Sequence, residues 1–149
     1  MLKASDIMTT EVITVKRDTS LKDVARILYE KHINGLPVVD EKGMLIGIIC
    51  ENDLIQRDRK LQLPAMVAIF DTVFYIQSSK KLEKEFQRFN ATTVEDLYTK
   101  DVVTVDKDSP VEDIATVMTK KKIYTIPVMD GDKLVGVIGQ ADLIRTIIN

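Results

Sequence analysis

Apolar and polar positions follow the same order twice along this chain. Each copy opens with a short run rich in β-branched residues, Val12–Val15 and Val102–Val105, which predicts a strand. After this run the apolar residues recur every three to four positions, and this spacing predicts a helix with one buried face. The apolar stripe consists of Leu21, Val24, Ala25 and Leu28 in the first copy, and of Val111, Ile114, Ala115 and Met118 in the second.

The helix of the second copy carries signals for its first turn. Ser109 can cap the helix, Pro110 suits the first helical position, and Glu112 completes a capping box. We predict that this helix ends near Lys121 and that its counterpart in the first copy ends near Lys31.

Two apolar runs joined by a tight turn follow each helix and predict a pair of adjacent strands. The strands span Leu36–Val39 and Leu45–Ile49 in the first copy, and Ile126–Met129 and Leu134–Ile138 in the second. The leading strand of each pair contains a proline, which has no amide hydrogen to donate, so we expect it at a sheet edge or beside an irregularity. A last helix is predicted to begin near Glu51 in the first copy and near Gln140 in the second.

The two copies correspond residue by residue. Asp6 matches Asp96, ninety positions later, and one deletion in the turn then aligns Asp53 with Asp142. Each copy has the order β-α-β-β-α, which indicates an α/β or α+β fold in which two half-domains pack around a pseudo-twofold axis. Such an arrangement creates two related clefts, where a ligand site is expected.

The order of elements predicts three segments: a first repeat at 1–59, an insert at 60–92 and a second repeat at 93–149. The insert is too apolar for a free linker, and Leu82, Phe86 and Phe89 share one face of a predicted helix over Ser79–Phe89. We expect the insert to pack against a lobe or a second subunit, and a lid over a cleft is the alternative.

The composition narrows the class of protein without pointing to a partner. A formal net charge of -2, no Trp and 5% aromatic residues give no reason to expect nucleic-acid binding. The single cysteine, Cys50, excludes an internal disulfide and favours a reducing compartment. The first residues lack a signal-peptide pattern and no apolar run is long enough to cross a bilayer, so we expect a cytoplasmic protein without membrane contact.

Three segments carry a resemblance to a known family. They are Asp-Ile-Met-Thr-x(2)-Val-Ile-Thr-Val from Asp6, Gly-Leu-Pro-Val-Val-Asp from Gly35, and Gly-Ile-Ile-x(3)-Asp-Leu-Ile from Gly47, with counterparts in the second copy. Together they resemble a CBS domain, and the chain resembles a stand-alone CBS pair, also called a Bateman module. The resemblance implies a disc-like pair that binds an adenosyl ligand, with AMP, ADP, ATP and S-adenosylmethionine as candidates, and that requires no cofactor.

Asp53 and Asp142 are the first candidates for ligand contact. Each lies in the opening turn of a predicted last helix, where a carboxylate can accept both hydrogen bonds of a ribose diol. The alternative is that the carboxylate only complements the helix dipole. The resemblance favours ribose binding in at least one cleft.

The sequence offers two sources of contact for a phosphate. Free amides at the start of the last helices form a natural anion site, but this chain has Cys50 and Gly139 where the family usually has Ser or Thr. Gly139 keeps an amide donor and loses the hydroxyl, and a thiol is a weak donor. The other source is a group of basic residues, for which an ordinary solvated helix end is the alternative: His32, Lys121 and Lys122.

The resemblance also implies that the first-strand threonine of one copy and the aspartate of the other line the same cleft. One site then contains Thr14, Thr19, Tyr124, Thr125, Ile126, Pro127, Gly139 and Asp142. The other contains Thr104, Ser109, Asn34, Gly35, Leu36, Pro37, Cys50 and Asp53. Adenine is expected at backbone groups beside the prolines. Strand propensity for the threonines and helix capping for Ser109 are the alternatives.

These observations support a non-enzymatic sensor that binds an adenine nucleotide, forms a homodimer and signals to a partner protein whose identity the sequence does not reveal. A structural homodimerisation scaffold with clefts that no longer bind nucleotide is the alternative, favoured by the missing hydroxyls at Cys50 and Gly139. A nucleotide hydrolase is disfavoured. His32 is the only histidine, so neither a catalytic triad nor a histidine-rich metal site can form, and the sequence has no phosphate-binding glycine loop.

Overall fold

The structure, a computed structural model, describes residues 1–55 and 92–148. Its helices are α1 (Ala4–Ile7), α2 (Leu21–Lys31), α3 (Glu51–Ile55), α4 (Val94–Leu97), α5 (Val111–Lys121) and α6 (Gln140–Ile148). Its strands are β1 (Gly35–Val39), β2 (Leu45–Cys50), β3 (Val105–Asp106), β4 (Thr125–Asp130) and β5 (Lys133–Gly139). The predicted mixture of helix and sheet is confirmed. The helix predicted over Ser79–Phe89 lies outside the described residues.

The two long helices end where the sequence predicts. α2 ends at Lys31 and α5 ends at Lys121. The residues that follow, His32 and Lys122, both take the left-handed conformation with φ of 54°. This conformation stops a helix and turns the chain sharply, so each helix leads directly toward the next strand.

The predicted cap of α5 is wrong. Pro110, not Ser109, is the N-cap residue, and no side chain caps this helix. The Ser109 hydroxyl accepts a hydrogen bond from the Asp106 amide at 3.2 Å, so the preceding loop uses it instead. The position equivalent to Pro110 in the first repeat holds Ser20, whose side chain does cap α2 by accepting the Asp23 amide at 3.1 Å.

Each repeat contributes an antiparallel pair of strands, β1 with β2 and β4 with β5. β3 pairs with β4 in parallel, with Val105 opposite Val128. The equivalent contact in the first repeat is a single parallel bridge between Val15 and Val38. The strand predicted at Val12–Val15 is therefore reduced to one rung.

The prolines lie beside irregularities, which is one of the two predicted arrangements. β4 lies between β3 and β5, so Pro127 is not at a sheet edge, and the register shifts just after each proline. In the first repeat the Val15 amide donates to the Pro37 carbonyl at 3.0 Å, and the Val39 amide donates to the Val15 carbonyl at 2.9 Å. The pairing thus needs no amide hydrogen from the proline.

Each lobe takes its first helix from the other repeat. The first lobe is built on α2, β1, β2 and α3, and the second lobe on β3, α5, β4, β5 and α6. Ala4 and Ile7 of α1 are buried in the core of the second lobe, whereas Val94 and Leu97 of α4 are buried in the core of the first. The sequence does not predict α1 or α4, because a single helical turn is too short to show a period.

Beyond each short helix, the exchanged segment pairs with the last strand of the lobe it has joined. Thr9 exchanges two backbone hydrogen bonds with Val137, at 2.9 and 3.0 Å. Thr99 exchanges two with Ile48, at 2.8 and 2.9 Å. The exchanged segments therefore join the two repeats at two equivalent strand pairings, and each pairing contains a threonine.

Candidate functional site

Two cavities lie between the repeats. The Asp53 cleft, of about 490 Å³, is lined by residues that include Cys50, Glu51, Asp53, Thr99, Asp101 and Lys122. The Asp142 cleft, of about 440 Å³, is lined by residues that include Thr9, Lys31, His32, Gly139, Asp142 and Arg145. Some described residues line both clefts: Asn34, Tyr124, Thr125 and Gln140.

The two clefts adjoin at the pseudo-twofold axis. Gly35 and Thr125 hold equivalent positions in β1 and β4, and a Cβ added to Gly35 would lie 3.1 Å from the Thr125 hydroxyl. Across the same boundary the Asn34 side-chain amide donates to the Gln140 side-chain carbonyl at 3.3 Å. The clefts therefore share a wall to which both repeats contribute.

Each cleft brings a carboxylate from one repeat to a threonine from the other. The Thr9 hydroxyl donates to Asp142 Oδ1 at 3.2 Å, and the Thr99 hydroxyl donates to Asp53 Oδ1 at 3.4 Å. Both aspartates are buried, with 5% of Asp142 and 7% of Asp53 exposed. The exchanged segments make these contacts, since they carry each threonine into the opposite lobe.

The threonines in contact with the aspartates are not those that the sequence groups with them. Thr14 and Thr104 are exposed and, within the described parts of the chain, line neither cleft. Their neighbours Ile13 and Val103 line the clefts instead, because side chains of an extended segment alternate between two faces. The threonines that do contact the aspartates hold equivalent positions in the two repeats, and this equivalence is the sequence signal that could have identified them.

Two further hydroxyls of the predicted sites are used within turns. Thr19 Oγ1 accepts a hydrogen bond from the Lys16 amide at 3.0 Å, as Ser109 does from the Asp106 amide.

Other predicted site residues lie outside the clefts. Ile126 is fully buried in the core of the second lobe. Within the part of the chain that the structure describes, five further predicted site residues line neither cleft: Thr19, Ser109, Ile126, Pro127 and Lys121.

The first residues of β1 and β4 lie close to the pseudo-twofold axis. Their assignment to the two clefts therefore differs from the one predicted. The sequence groups Asn34, Gly35, Leu36 and Pro37 with Asp53. Asn34 lines both clefts, whereas Gly35, Leu36 and Pro37 line the Asp142 cleft. The physical reason is that β1 opens beside the start of α6, as the Asn34–Gln140 hydrogen bond shows. Tyr124 and Thr125, which the sequence groups with Asp142, line both clefts.

The two carboxylates also accept hydrogen bonds from backbone amides at the starts of the last helices. The Gly139 amide donates to Asp142 Oδ2 at 2.8 Å, and the Cys50 amide donates to Asp53 Oδ2 at 2.7 Å. The backbone donor expected at Gly139 for a phosphate is therefore already used. Arg145 Nη2 adds a contact of 3.1 Å to Asp142 Oδ1. Since a carboxylate has about four acceptor sites, Asp142 can still accept from a ligand hydroxyl.

Cys50 and Gly139 provide different surfaces at equivalent positions. Burial raises the pKa of the Cys50 thiol to about 12, and the carboxylates of Asp53 and Glu51 add to the shift. The sulfur therefore remains a protonated thiol and is not an activated nucleophile. A Cβ added to Gly139 would lie 3.7 Å from the Tyr124 carbonyl oxygen, which leaves room for a small side chain.

The basic residues are divided between the clefts. Of the three that the sequence singles out, His32 lines the Asp142 cleft and Lys122 lines the Asp53 cleft. Two further cations, Lys31 and Arg145, line the Asp142 cleft and are absent from the predicted sites. Arg145 lies outside the segments that the repeats share, so the sequence pattern contains no signal for it.

The chemistry of the clefts rests on carboxylates, hydroxyls, amides and cations. Within residues 1–55 and 92–148, no group of three or more His, Cys, Asp or Glu side chains could hold a metal ion. The helices of these ranges are all too short or too polar to cross a membrane.

Two similar repeats exchange their leading segments and enclose two clefts, an architecture that identifies a paired-repeat module. The family model described as CBS domain matches residues 4–60 and 94–149. The chain belongs to the CBS domain family, and the resemblance read from the sequence is confirmed.

Relatives of the chain include a protein of its own size and parts of larger enzymes. It is 30% identical over 153 residues to the uncharacterized protein MJ1426 of Methanocaldococcus jannaschii, over 96% of this chain and 89% of that protein. It is 30% identical over 141 residues to L-aspartate semialdehyde sulfurtransferase of the same organism, over 94% of this chain but 22% of the enzyme. The similarity to that enzyme therefore concerns a separate part of its chain.

Two of the solved structures similar to this one contain adenosyl ligands. The CBS domain pair of protein MJ0100, in complex with 5′-methylthioadenosine and S-adenosyl-L-methionine, matches with a TM-score of 0.69 and 28% identity, over 99% of this chain and 96% of that chain. CBSX2 in complex with AMP matches with a TM-score of 0.72 and 26% identity, over 99% of this chain and 97% of that chain. A putative acetoin utilization protein of Vibrio cholerae matches with a TM-score of 0.72 and 28% identity, over 100% of this chain and 92% of that chain.

Proposed function

We propose that this chain is a non-enzymatic regulatory module that binds an adenosyl ligand in one or both clefts and signals to a partner protein. The observation that carries the proposal is the contact between the repeats in each cleft. There a buried carboxylate of one repeat accepts a hydrogen bond from a threonine of the other. Adenosyl ligands in two similar CBS structures support the class of ligand.

The ribose diol binds to the carboxylate of Asp142 or Asp53 in this proposal. A hydrogen bond to a charged group contributes about 1.5–3 kcal/mol, so a diol held by one carboxylate is a substantial part of the binding energy. Adenine packs against the apolar lining of the cleft. This lining includes Ile13, Leu36 and Pro37 in the Asp142 cleft, and Val102, Val103 and Ile123 in the Asp53 cleft.

Ligand binding would change contacts that join the two repeats. A diol at Asp142 competes with Thr9 and Arg145 for Oδ1, and Thr9 belongs to the segment that pairs with the last strand of the second lobe. A ligand shifts the packing of the repeats only by the difference in its affinity for the two arrangements. A partner protein that contacts both repeats would then bind one arrangement better than the other.

Thermal unfolding with and without ligand tests the proposal. AMP, ADP, ATP or S-adenosylmethionine at millimolar concentration should raise Tm, because a ligand that binds only the folded chain stabilises it. The double variant Asp53→Asn, Asp142→Asn should lose this shift. Asp132→Asn, in the exposed turn between β4 and β5, is the matched control and should keep it. If the unaltered chain showed no shift with any of these ligands, the scaffold alternative would be favoured.

A second function, homodimerisation, is supported by the surface of α6. Ile144, Ile147 and Ile148 are 54%, 83% and 77% exposed. Clustered exposed isoleucines usually mark a contact surface, and we propose that a second copy of the chain covers this one. Ile147→Asp should then shift the protein toward monomer in sedimentation velocity. An unaltered assembly state in this variant would contradict the proposed dimer surface.

A further inference from the structure

The two clefts differ in charge. Among the described residues, the Asp142 cleft is lined by the cations of Lys31 and Arg145 and the imidazole of His32, against the carboxylates of Glu11 and Asp142. The Asp53 cleft is lined by the cation of Lys122, against the carboxylates of Glu51, Asp53 and Asp101. Counted by formal charge over the described lining residues, with histidine neutral, the Asp142 cleft balances, whereas the Asp53 cleft has an excess of negative charge.

The repeat symmetry identifies the positions responsible. Glu51 and Gln140 are the first residues of α3 and α6, so an acid in one repeat corresponds to an amide in the other. Glu11 and Asp101 are also equivalent, but both are acidic and do not contribute to the difference. Glu51 therefore adds negative charge to the Asp53 cleft, and Arg145 adds positive charge to the Asp142 cleft.

The Cys50 thiol reports the negative field in the Asp53 cleft. Burial is the main reason for its raised pKa, and the carboxylates of Asp53 and Glu51 raise it further. A field that disfavours a thiolate at this position disfavours a phosphate for the same electrostatic reason.

The Arg145 guanidinium pairs with Asp142 in this structure and is placed to pair with a ligand anion instead. Its Nη2 lies 3.1 Å from Asp142 Oδ1, and 60% of its side chain is exposed. A ribose hydroxyl that takes Oδ1 displaces the guanidinium. Because Arg145 follows Asp142 by about one helical turn, the freed group stays at the rim of the same cleft. A guanidinium presents paired donors that match the oxygens of a phosphate.

We infer that the two clefts select different adenosyl ligands by charge. The Asp142 cleft takes a ligand with a 5′-phosphate, such as AMP. The Asp53 cleft takes one without a phosphate, neutral or cationic, such as S-adenosylmethionine with its sulfonium. This inference rests on the proposed function and deepens it: the aspartates supply the shared ribose contact, while Arg145 and Glu51 supply the discrimination.

Isothermal titration calorimetry on the full chain with AMP, adenosine and S-adenosylmethionine tests the assignment. Asp142→Asn should remove AMP binding and keep S-adenosylmethionine binding, and Asp53→Asn should do the reverse. Asparagine retains an oxygen for the amide at the helix start, so each variant removes the charge with little change in shape. Circular dichroism checks that both variants are folded.

Charge variants provide an independent measurement. Arg145→Gln should lower the ratio of AMP affinity to adenosine affinity by about tenfold, because adenosine shares the ribose contact and lacks the phosphate. Glu51→Gln, combined with Asp142→Asn, should raise the affinity of the Asp53 cleft for AMP. Glu30→Gln, at an exposed position of α2 that lines neither cleft, is the matched control and should leave the ratio unchanged.

The outcomes separate the charge assignment from adenosyl binding itself. AMP binding that follows Asp53, or an affinity ratio that Arg145→Gln leaves unchanged, overturns the assignment although ligands still bind. Failure of the unaltered chain to bind any of the three ligands overturns the proposed function and this inference together. If the aspartate variants do not fold, the ratio measured with Arg145→Gln decides alone.

Discussion

At the residue scale, one carboxylate in each cleft serves several contacts at once. Asp142 accepts from the Gly139 amide, the Thr9 hydroxyl and the Arg145 guanidinium. The contact with the Gly139 amide lies at the start of α6, and the contact with Thr9 joins the two repeats. The proposed ligand diol at this carboxylate would therefore compete with a hydrogen bond that joins the two repeats. In the proposed function, this overlap would couple ligand binding to the packing of the repeats.

Cys50 gives a stability prediction with a defined pH window. Its pKa is raised from 9.0 to about 12 by burial and then by nearby carboxylates. Since the folded chain favours the protonated thiol, this contribution to stability is complete below pH 9 and is lost as the pH rises toward 12. The free energy of unfolding from urea titrations should fall more steeply above pH 9 for the unaltered chain than for Cys50→Ala. Parallel pH profiles would show that burial does not suppress ionisation of the thiol.

At the element scale, two strand glycines allow the exchanged segments to approach the last strands. Gly47 of β2 and Gly136 of β5 hold equivalent positions. A Cβ added to Gly47 would meet the Thr99 carbonyl oxygen and the Tyr98 ring, whereas one added to Gly136 would meet the side chain of Met8. The backbone at Thr99 is fixed by its pairing with Ile48, but a methionine side chain can change rotamer.

This difference predicts an order of stabilities. Gly47→Ala should lower the free energy of unfolding by about 2–3 kcal/mol, and Gly136→Ala by about 1 kcal/mol or less. Urea denaturation of both variants, with the slope of each transition compared, measures the difference. Equal losses, or a larger loss for Gly136→Ala, would show that the two exchanged segments are not held as the structure indicates.

The elements themselves were largely predictable because their signals are local. The apolar period of α2 and α5 and the runs of β1, β2, β4 and β5 depend only on near neighbours in the chain. The failures have local reasons too. The Ser109 hydroxyl could bond either to the start of the helix or to the preceding loop, and in the structure it accepts from the Asp106 amide of the loop. The first strand of the first repeat is reduced to one bridge, because a β-rich run does not specify how many partners it finds.

At the scale of the whole molecule, each repeat is incomplete without the other. Ala4 and Val94 are fully buried, each in the core of the lobe built by the opposite repeat. A repeat separated from its partner would expose this part of its core to water. We therefore expect the pair, rather than the single repeat, to be the unit that folds.

Fragments of the chain test this dependence. Residues 1–59 and 93–149, prepared separately, should be unfolded as monomers, and an equimolar mixture should form a folded one-to-one complex. Circular dichroism and sedimentation velocity of the separate and mixed fragments measure both states. A monomeric fragment with a cooperative unfolding transition of its own would contradict the prediction.

Local patterns in the amino-acid sequence were sufficient for the repeat, the order and bounds of the main elements, the family, and the placement of Asp53 and Asp142 at helix starts. These features depend on residues close together in the chain, or on equivalence between two copies of the same pattern. The exchange of α1 and α4, the selection of Thr9 and Thr99 over Thr14 and Thr104, and the unequal charge of the clefts required the tertiary structure. Such features depend on which surfaces pack together across the pseudo-twofold axis. The spacing of apolar residues along the sequence does not specify this packing.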